Sequence, residues 1–293
     1  MKKSAEFYRA KTAEQAVSLL RTKERASVLA GGTDLIIAGR QGKKITDVYV
    51  DITEIPELKE IRIDGGELYV GAAVTCSEAE RNPLLQRKCP LLCRAAAAVG
   101  SPQIRSRATF GGNAVNASPA ADTAPALAVL EAQAEIVGTG YRRRVKITEF
   151  ITGNGKTVLE KDELLAGFYI PLAAGNVRYG YKKIGRRNAL AISRMNGACL
   201  MKAENGVILE ARICIGAVAD RPLRCTEAER LLNGKKPDGA LWEQAGQAVR
   251  ECILAHTGIR NSSGYKLPVS KDFAAELLKH TWEEQYEDRI QFK

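Results

Sequence analysis

Apolar and polar positions over the first 55 residues alternate in the way typical of an α/β unit. Residues 12–20 carry apolar side chains at helical spacing after Thr12, which predicts an amphipathic helix with Thr12 as its N-cap. Residues 27–30 form an apolar run that predicts a buried strand, and Thr33 and Asp34 then precede a short helix over 35–38. A second strand is expected at 48–52, so the order strand–helix–strand predicts α/β architecture.

A different pattern follows residue 56. Two alternating runs flank Gly65-Gly66 and predict a hairpin over 61–71. The alanine-rich residues 90–99 predict a helix, and a further helix is expected over 118–132, with Ser118 at the N-cap and Pro119 at the first helical position. Residues 101–116, rich in Gly, Ser and Asn, are expected to be irregular.

The pattern changes again after 171–176, which is predicted to be a linker. Alternating runs beyond it predict an antiparallel sheet, followed by helices. We therefore expect one domain over 1–176, with subdomains of about 1–55 and 56–176, and a second, α+β domain over 177–293. The strands are expected at 179–182, 198–203 and 208–215, and the helices at 226–232, 241–255 and 269–293.

Composition restricts the functional classes. The chain has 293 residues, of which 45% are hydrophobic, and no run approaches the roughly 18 apolar residues of a membrane span. No apolar segment follows Lys2 and Lys3, so no secretory signal is expected. The seven cysteines are odd in number and lack a CxxC pair, which favours reduced thiols in a cytoplasm over disulfides or a metal site. The two histidines make a catalytic triad or a histidine-rich metal site improbable.

The net charge of +10 leaves several partners open, namely nucleic acid, an acidic protein or a polyanionic cofactor. The densest basic run, 142–144, follows the turn at 138–140 and alternates into apolar residues. This pattern favours a solvated hairpin strand over a nucleic-acid contact.

A pair of glycine motifs is the feature most indicative of chemistry. In the first, Gly31-Gly32 follows the predicted strand and precedes Thr33 and Asp34. Glycines let backbone N–H groups approach a phosphate without a Cβ clash and allow a positive φ, and a following helix would add its dipole. An ordinary strand-to-helix turn would leave the same signature.

The second motif runs over 109–118, with Gly111-Gly112 beside small polar side chains and the start of the predicted 118–132 helix. Asp122 would lie on the first turns of that helix, where it could accept hydrogen bonds from sugar hydroxyls or simply complement the helix dipole. Neither motif is GxGxxG, and no GxxxxGK[ST] occurs, so neither a dinucleotide fingerprint nor a P-loop is present.

These two motifs, with the stretch 116–123, resemble the paired FAD motifs in the flavin subunits of molybdenum hydroxylases, the family that includes xanthine and carbon monoxide dehydrogenases. The resemblance covers nearly the whole chain. It implies a two-subdomain FAD-binding domain of mixed α/β and α+β type, followed by a smaller α+β domain.

The resemblance also implies cofactor-binding residues, with no catalytic and no metal-binding residue among them. The first motif should hold the FAD diphosphate, the second should contact the diphosphate and ribityl region, and Asp122 should bond polar atoms nearby. Leu165 should line the adenine end, and Lys182 should lie near the flavin ring, although a surface lysine on a strand is its simpler interpretation. The full set is Ser27, Val28, Leu29, Ala30, Gly31, Gly32, Thr33, Asp34, Thr109, Phe110, Gly111, Gly112, Asn113, Asn116, Asp122, Leu165 and Lys182.

Two departures from the family pattern concern the acceptor and the iron–sulfur content. Some NAD-using relatives carry acidic residues just after the arginine pair, where this chain has Asn188 and Ala189, so the resemblance does not imply how NAD would meet the flavin. Cys89 and Cys93 are the only close cysteine pair, and we interpret them as helix thiols and not as part of a cluster site.

The resemblance implies an electron-transfer subunit that works with separate iron–sulfur and molybdenum-cofactor chains, with a purine such as xanthine as the substrate of the whole and NAD as a possible acceptor. No nucleic acid and no membrane are expected as partners. The alternatives are a stand-alone flavin oxidase or reductase and a basic nucleic-acid-binding module, of which the last predicts salt-sensitive binding and no chromophore.

Overall fold

The structure, a computed structural model, describes residues 5–43, 46–187 and 190–283. The chain begins with a three-stranded parallel sheet in the order β1-β3-β2. The last two of these strands in the sequence, β2 and β3, with the helix α2 between them, are the predicted strand–helix–strand unit. Thr12 caps the first helix by accepting a hydrogen bond from the Gln15 amide, as predicted. The elements are β1 (Glu6–Arg9), α1 (Ala13–Thr22), β2 (Ala26–Leu29), α2 (Leu35–Arg40) and β3 (Val48–Asp51).

A 3-10 helix at Pro56–Lys59 leads into a five-stranded antiparallel sheet with the order β4-β5-β10-β6-β7. Its strands are β4 (Ile61–Asp64), β5 (Glu67–Gly71), β6 (Gln133–Gly138), β7 (Tyr141–Lys146) and β10 (Leu164–Pro171), with a small hairpin of β8 (Ile151–Gly153) and β9 (Lys156–Thr157). Short helices connect these strands: α3 (Cys76–Arg81), α4 (Pro83–Lys88), α5 (Pro90–Ala97), α6 (Pro102–Arg105), α7 (Phe110–Asn116), α8 (Ala124–Val129) and α9 (Ile147–Phe150).

Residues 172–176 connect the last strand of this sheet to a four-stranded antiparallel sheet, β11-β12-β13-β14, which confirms the predicted antiparallel sheet; Pro171, predicted in the connection, belongs to β10. Three helices follow, of which the first two confirm the sequence prediction. The third starts before the predicted residue 269, and residues 284–293 lie outside the described part of the chain. The elements are β11 (Val177–Gly185), β12 (Ser193–Glu204), β13 (Val207–Gly216), β14 (Leu223–Arg224), α10 (Thr226–Leu232), α11 (Gly239–Thr257) and α12 (Ser263–Glu283).

Three apolar cores hold these layers together. One lies between the parallel sheet, α1 and one face of the five-stranded sheet, where Val50 and Ala166 are buried. The second lies on the other face of the five-stranded sheet and also includes Leu200 and Cys214 from β12 and β13. The third fills the space between the opposite face of that C-terminal sheet and α10–α12. Because the second core is shared, both parts of the chain bury apolar surface against each other.

The basic run is a hairpin strand, as predicted, since Arg142, Arg143 and Arg144 all lie in β7, which pairs with β6. Each of the three is paired with a carboxylate. Arg142 reaches Glu57 at 3.0 Å, Arg143 reaches Glu163 at 2.8 Å and Arg144 reaches Glu67 at 2.8 Å.

Two secondary-structure predictions are wrong. Residues 101–116 are not irregular, because Ser101 caps α6 and Thr109 caps α7, each accepting a hydrogen bond from the third helical amide. The helix expected over 118–132 is only α8, so Ser118 and Pro119 do not start it. Ala117 has a left-handed backbone with φ of 45°, residues 118–121 form a turn, and the Pro119 carbonyl accepts a hydrogen bond from the Ala217 amide of the C-terminal domain.

Candidate functional site

The first glycine motif forms the loop between β2 and α2. Within the described ranges, no acceptor meets the backbone N–H groups of residues 30–34. Gly32 has a φ of +73°, a left-handed backbone of the kind that occurs in anion-binding nests of successive N–H groups. The helix α2 follows as predicted, but Asp34 makes no capping hydrogen bond with its side chain. Consecutive free amides of this kind are a binding surface for a phosphate group.

A second property of this loop is its close approach to the other motif. A Cβ atom on Gly31 would lie 2.0 Å from the carbonyl oxygen of Arg107 and 3.1 Å from the Ala108 Cα. Only glycine therefore allows the loop to pack on the residues that lead into Thr109. The structure thus brings together two motifs that are far apart in the sequence, as the ligand hypothesis requires.

The second motif is the first turn of a helix and not a glycine turn. Thr109 Oγ1 accepts a hydrogen bond from the Gly112 amide at 3.0 Å, while the amides of Phe110 and Gly111 donate to Val74 and Ala72 at 3.0 and 2.9 Å. Phe110 and Gly111 are buried, so they fix α7 on the loop after β5.

Among the predicted contact residues of the second motif, a ligand can reach Gly112, Asn113 and Asn116. Gly112 and Asn116 are exposed, whereas Asn113 is half-buried and accepts a hydrogen bond from Thr123 Oγ1 at 2.6 Å. This hydrogen bond therefore fixes the Asn113 side chain to Thr123, the residue that follows Asp122.

Asp122 joins the two domains. It precedes α8 and does not lie on its first turns, which corrects the sequence prediction. Its buried carboxylate accepts hydrogen bonds from Ser193 Oγ at 2.6 Å and Asn196 Nδ2 at 3.0 Å, and from the Lys183 ammonium at 2.7 Å. The Tyr181 hydroxyl donates to the Asp122 carbonyl at 3.1 Å; burial, with the charge of Asp122, raises the pKa of Tyr181 and keeps it a neutral donor.

The two lysines of β11 point in opposite directions, because side chains alternate along a strand. Lys182 forms an ion pair with Glu276 of α12 and lies 5.4 Å from the Phe273 ring. Lys183 faces the first domain, where it pairs with Asp122 and also donates to the Ala98 carbonyl at 2.7 Å. The sequence analysis missed Lys183, although the alternation of β11 places it on the same side as Tyr181.

Similarity to known families agrees with this geometry. A family model described as the FAD binding domain in molybdopterin dehydrogenase matches residues 3–173, and one described as the CO dehydrogenase flavoprotein C-terminal domain matches residues 179–284. The chain belongs to the molybdopterin dehydrogenase FAD-binding family. It is an oxidoreductase subunit, and its cofactor is FAD.

Individual relatives of this flavoprotein cover nearly all of it. The xanthine dehydrogenase FAD-binding subunit of Escherichia coli O157:H7 is 34% identical over 94% of this chain and 92% of its own. The nicotinate dehydrogenase FAD-subunit of Eubacterium barkeri is 33% identical over 79% and 80%. A solved carbon monoxide dehydrogenase from Hydrogenophaga pseudoflava superimposes with a TM-score of 0.90 at 27% identity, over 95% of this chain and 97% of that one. The predicted fold and cofactor are confirmed.

The residues of the flavoprotein fit a dinucleotide carrying a diphosphate, because the 30–34 loop offers free amides and Gly31 lets this loop pack on the residues that lead into the second motif. Of the remaining predicted contacts, Ser27 is buried and its hydroxyl lies 3.1 Å from Thr46 Oγ1. Leu165 is buried in β10 beside a β-bulge, opposite Ile136. Asn188 and Ala189 lie outside the described residues.

The part of the chain that the structure describes gives little support for a metal site, a cysteine-ligated cluster or a membrane span. No group of three His, Cys, Asp or Glu side chains there could hold a metal ion. Cys89 lies at the junction of α4 and α5 and not inside a helix, while Cys93 is in α5; burial raises the pKa of both thiols to about 12. No described helix has the length and apolar character to cross a bilayer.

Proposed function

We propose that this flavoprotein is the electron-transfer subunit of a molybdenum-containing hydroxylase with a purine such as xanthine as its substrate. Electrons would reach its FAD from iron–sulfur clusters on another chain and leave to NAD⁺ or another acceptor. The loop 30–34, with free amides packed on the second motif, is the observation that carries the proposal. The E. coli xanthine dehydrogenase relative supports the choice of a purine.

The first motif is proposed to hold the FAD diphosphate, through the free amides of 30–34 at the end of the predicted 27–34 set. Thr109 caps α7, and we propose that Gly112, Asn113 and Asn116, which are exposed or half-buried, contact the cofactor from the second motif. When bound, the FAD supplies the exchange between one-electron and two-electron carriers. The chain itself positions that cofactor and sets its electrostatic surroundings.

For the cation near the flavin we propose Lys183 in preference to Lys182. Lys183 binds Asp122, which also accepts hydrogen bonds from Tyr181 and Ser193, whereas Lys182 faces α12. The Asp122 carboxylate already has donors, so a ribityl hydroxyl must replace one of them or bond its remaining lone pairs. Leu165 remains a prediction for the adenine end.

The partner proposal rests on what this chain contains. All seven cysteines are free, six are buried, and within the described residues none belongs to a metal-binding group. Iron–sulfur clusters usually need grouped thiolates, so the electrons must come from partner chains that carry the clusters and the molybdenum cofactor. We propose a domain boundary near residue 176 and, from the free thiols, a cytoplasmic location.

The experiment supplies xanthine, hypoxanthine and NAD⁺ to the purified flavin-loaded chain, with and without the iron–sulfur and molybdenum subunits. We expect no purine oxidation by the lone chain and turnover only when both partners are added. NADH-to-dye activity of the lone chain is compatible with the proposal, because it needs only flavin. Purine turnover by the lone chain would instead show a stand-alone flavin oxidoreductase.

A further inference from the structure

Two cysteines of the C-terminal domain lie together outside the FAD site. Cys225 follows β14 and immediately precedes α10, and Cys252 lies in α11. The Cys252 thiol donates to the carbonyl oxygen of Arg224, the residue before Cys225, at 3.9 Å, and the Cys225 thiol donates to the neighbouring Leu223 carbonyl at 3.7 Å. They are therefore close enough to react with one another after a small movement.

The two thiols differ in access and acidity. Cys225 is fully buried, whereas Cys252 is half-buried and is the only one of the seven cysteines that solvent reaches appreciably. The interaction with Cys252, together with burial, raises the pKa of Cys225; the interaction with Cys225 lowers the pKa of Cys252, although burial and the charges of Glu227 and Glu229 oppose it. The accessible thiol is thus the one that forms the nucleophilic thiolate more readily.

Cys214, which also lies near Arg224, is a poorer partner for Cys252 than Cys225 is. Cys214 is opposite Arg224 in the β13–β14 pairing, but its side chain packs into the core shared with the first domain, on the other face of the sheet. Cys225 and Cys252 belong to the core beneath α10–α12. Burial raises the pKa of Cys214 well above its ordinary range, which makes it unreactive.

We infer that Cys252 is a site of oxidation by hydrogen peroxide and that Cys225 converts the oxidised residue into an intramolecular disulfide. The Cys252 thiolate attacks one peroxide oxygen, the O–O bond breaks, and a sulfenic acid and hydroxide form. The Cys225 sulfur then attacks the sulfenic sulfur, the S–O bond breaks, and water leaves. In sum, two thiols lose two electrons and two protons, and one peroxide becomes two waters.

The disulfide would form beside a contact between the domains. Arg224 pairs with Glu229 at 2.6 Å and donates a hydrogen bond to the Ala128 carbonyl at the end of α8, at 3.1 Å. The helix α8 begins directly after the Asp122 segment. Oxidation therefore links α10 to α11 at the point where the C-terminal domain holds the FAD-binding domain.

The test treats the FAD-loaded full chain with equimolar hydrogen peroxide, blocks remaining thiols and identifies tryptic peptides by mass spectrometry. Cleavage after Arg224 and Arg250 separates residues 225–230 from 251–260. We expect these two peptides to be joined by a disulfide that dithiothreitol reverses, and Cys89→Ser, a remote buried control, to form it equally.

Two variants separate the roles of the thiols. Cys252→Ser should leave Cys225 reduced, whereas Cys225→Ser should let Cys252 gain oxygen atoms and pass to the sulfinic acid, which dithiothreitol does not reverse. The inference is overturned if the native chain yields no joined peptide, if Cys252 pairs with another cysteine, or if Cys225 is oxidised in folded, flavin-containing Cys252→Ser protein.

Discussion

Neighbouring glycines at 31 and 32 meet different requirements. At Gly31 there is no room, because a Cβ would lie 2.0 Å from the carbonyl oxygen of Arg107, two residues before the second motif. At Gly32 the space is tight but the backbone is decisive, with φ at +73° and the nearest side-chain atom 3.2 Å from a built Cβ. The sequence analysis recognised the pair as a motif but could not tell which glycine served which purpose.

Gly32→Val should abolish FAD binding while the protein stays folded, because a branched Cβ resists the positive φ that orients the free amides. The matched control is Gly140→Val, which has a similar φ of +78° in the hairpin turn with no atom near its Cβ. Both variants should lose on the order of 1–2 kcal/mol of stability. Flavin content after gel filtration, with circular dichroism for folding, checks this, and a folded Gly32→Val protein with normal FAD would disprove the role.

A second comparison at this scale uses the adjacent lysines. Lys183→Gln removes the cation paired with Asp122 and should make the flavin harder to reduce, by roughly 30 mV for each 1.4 kcal/mol of lost stabilisation. Lys182→Gln breaks only the pair with Glu276 and should leave the flavin midpoint potential unchanged. Redox titration of both proteins decides the matter; a shift in Lys182→Gln alone would favour the sequence prediction over the structural one.

At the scale of elements, local signals succeeded where the element depends on its own residues. The Gly65-Gly66 hairpin was predicted and is present as β4 and β5, with both glycines at positive φ. The helix expected over 118–132 failed because the Ser-Pro start forms a turn, with the Ala121 amide bonded to Ser118, and its Pro119 carbonyl accepts the Ala217 amide of the C-terminal domain. The caps Ser101 and Thr109 were visible in the sequence, but glycine and asparagine obscured the short helices after them.

The hairpin of β6 and β7 is fastened by Glu163, whose buried carboxylate binds Arg143 with both oxygens and accepts the Tyr141 hydroxyl. Burial alone would raise the pKa of Glu163, yet hydrogen bonds from Arg143, the Glu160 amide and Tyr141 outweigh it and lower the pKa to about 2. A depressed folded pKa stabilises the fold above the unfolded value, near 4.5, and this contribution is lost as the pH falls towards 2.

Glu163→Gln should therefore lower the free energy of unfolding at pH 7 by about 2 kcal/mol, and the deficit should shrink between pH 4.5 and 2. The control is Glu149→Gln, at an exposed site with no ion pair among the described residues. Urea unfolding of both variants across this pH range provides the measurement. A deficit that stays constant with pH would show that the charge of Glu163 contributes nothing.

At the scale of the whole molecule, the fold and cofactor class followed from the resemblance of the two motifs, and the family matches confirm both. The cluster of side chains around Asp122, which connects the two domains, could not be predicted from the sequence. Asp122, Tyr181, Lys183 and Ser193 are each unremarkable in the sequence and meet only because β11 and β12 pack on the Asp122 segment. Contacts between residues so far apart in the sequence leave no local pattern. For this reason the sequence analysis selected Lys182 and missed its neighbour Lys183.

The central claim is that this chain binds FAD between the 30–34 loop and the second motif. The flavin content of the chain tests that claim most directly. The chain is purified alone, its absorption spectrum is recorded, and the cofactor released by denaturation is identified by chromatography. The account predicts a yellow protein that releases FAD at about one molecule per chain. A correctly folded, colourless chain that takes up no FAD from excess cofactor would contradict it.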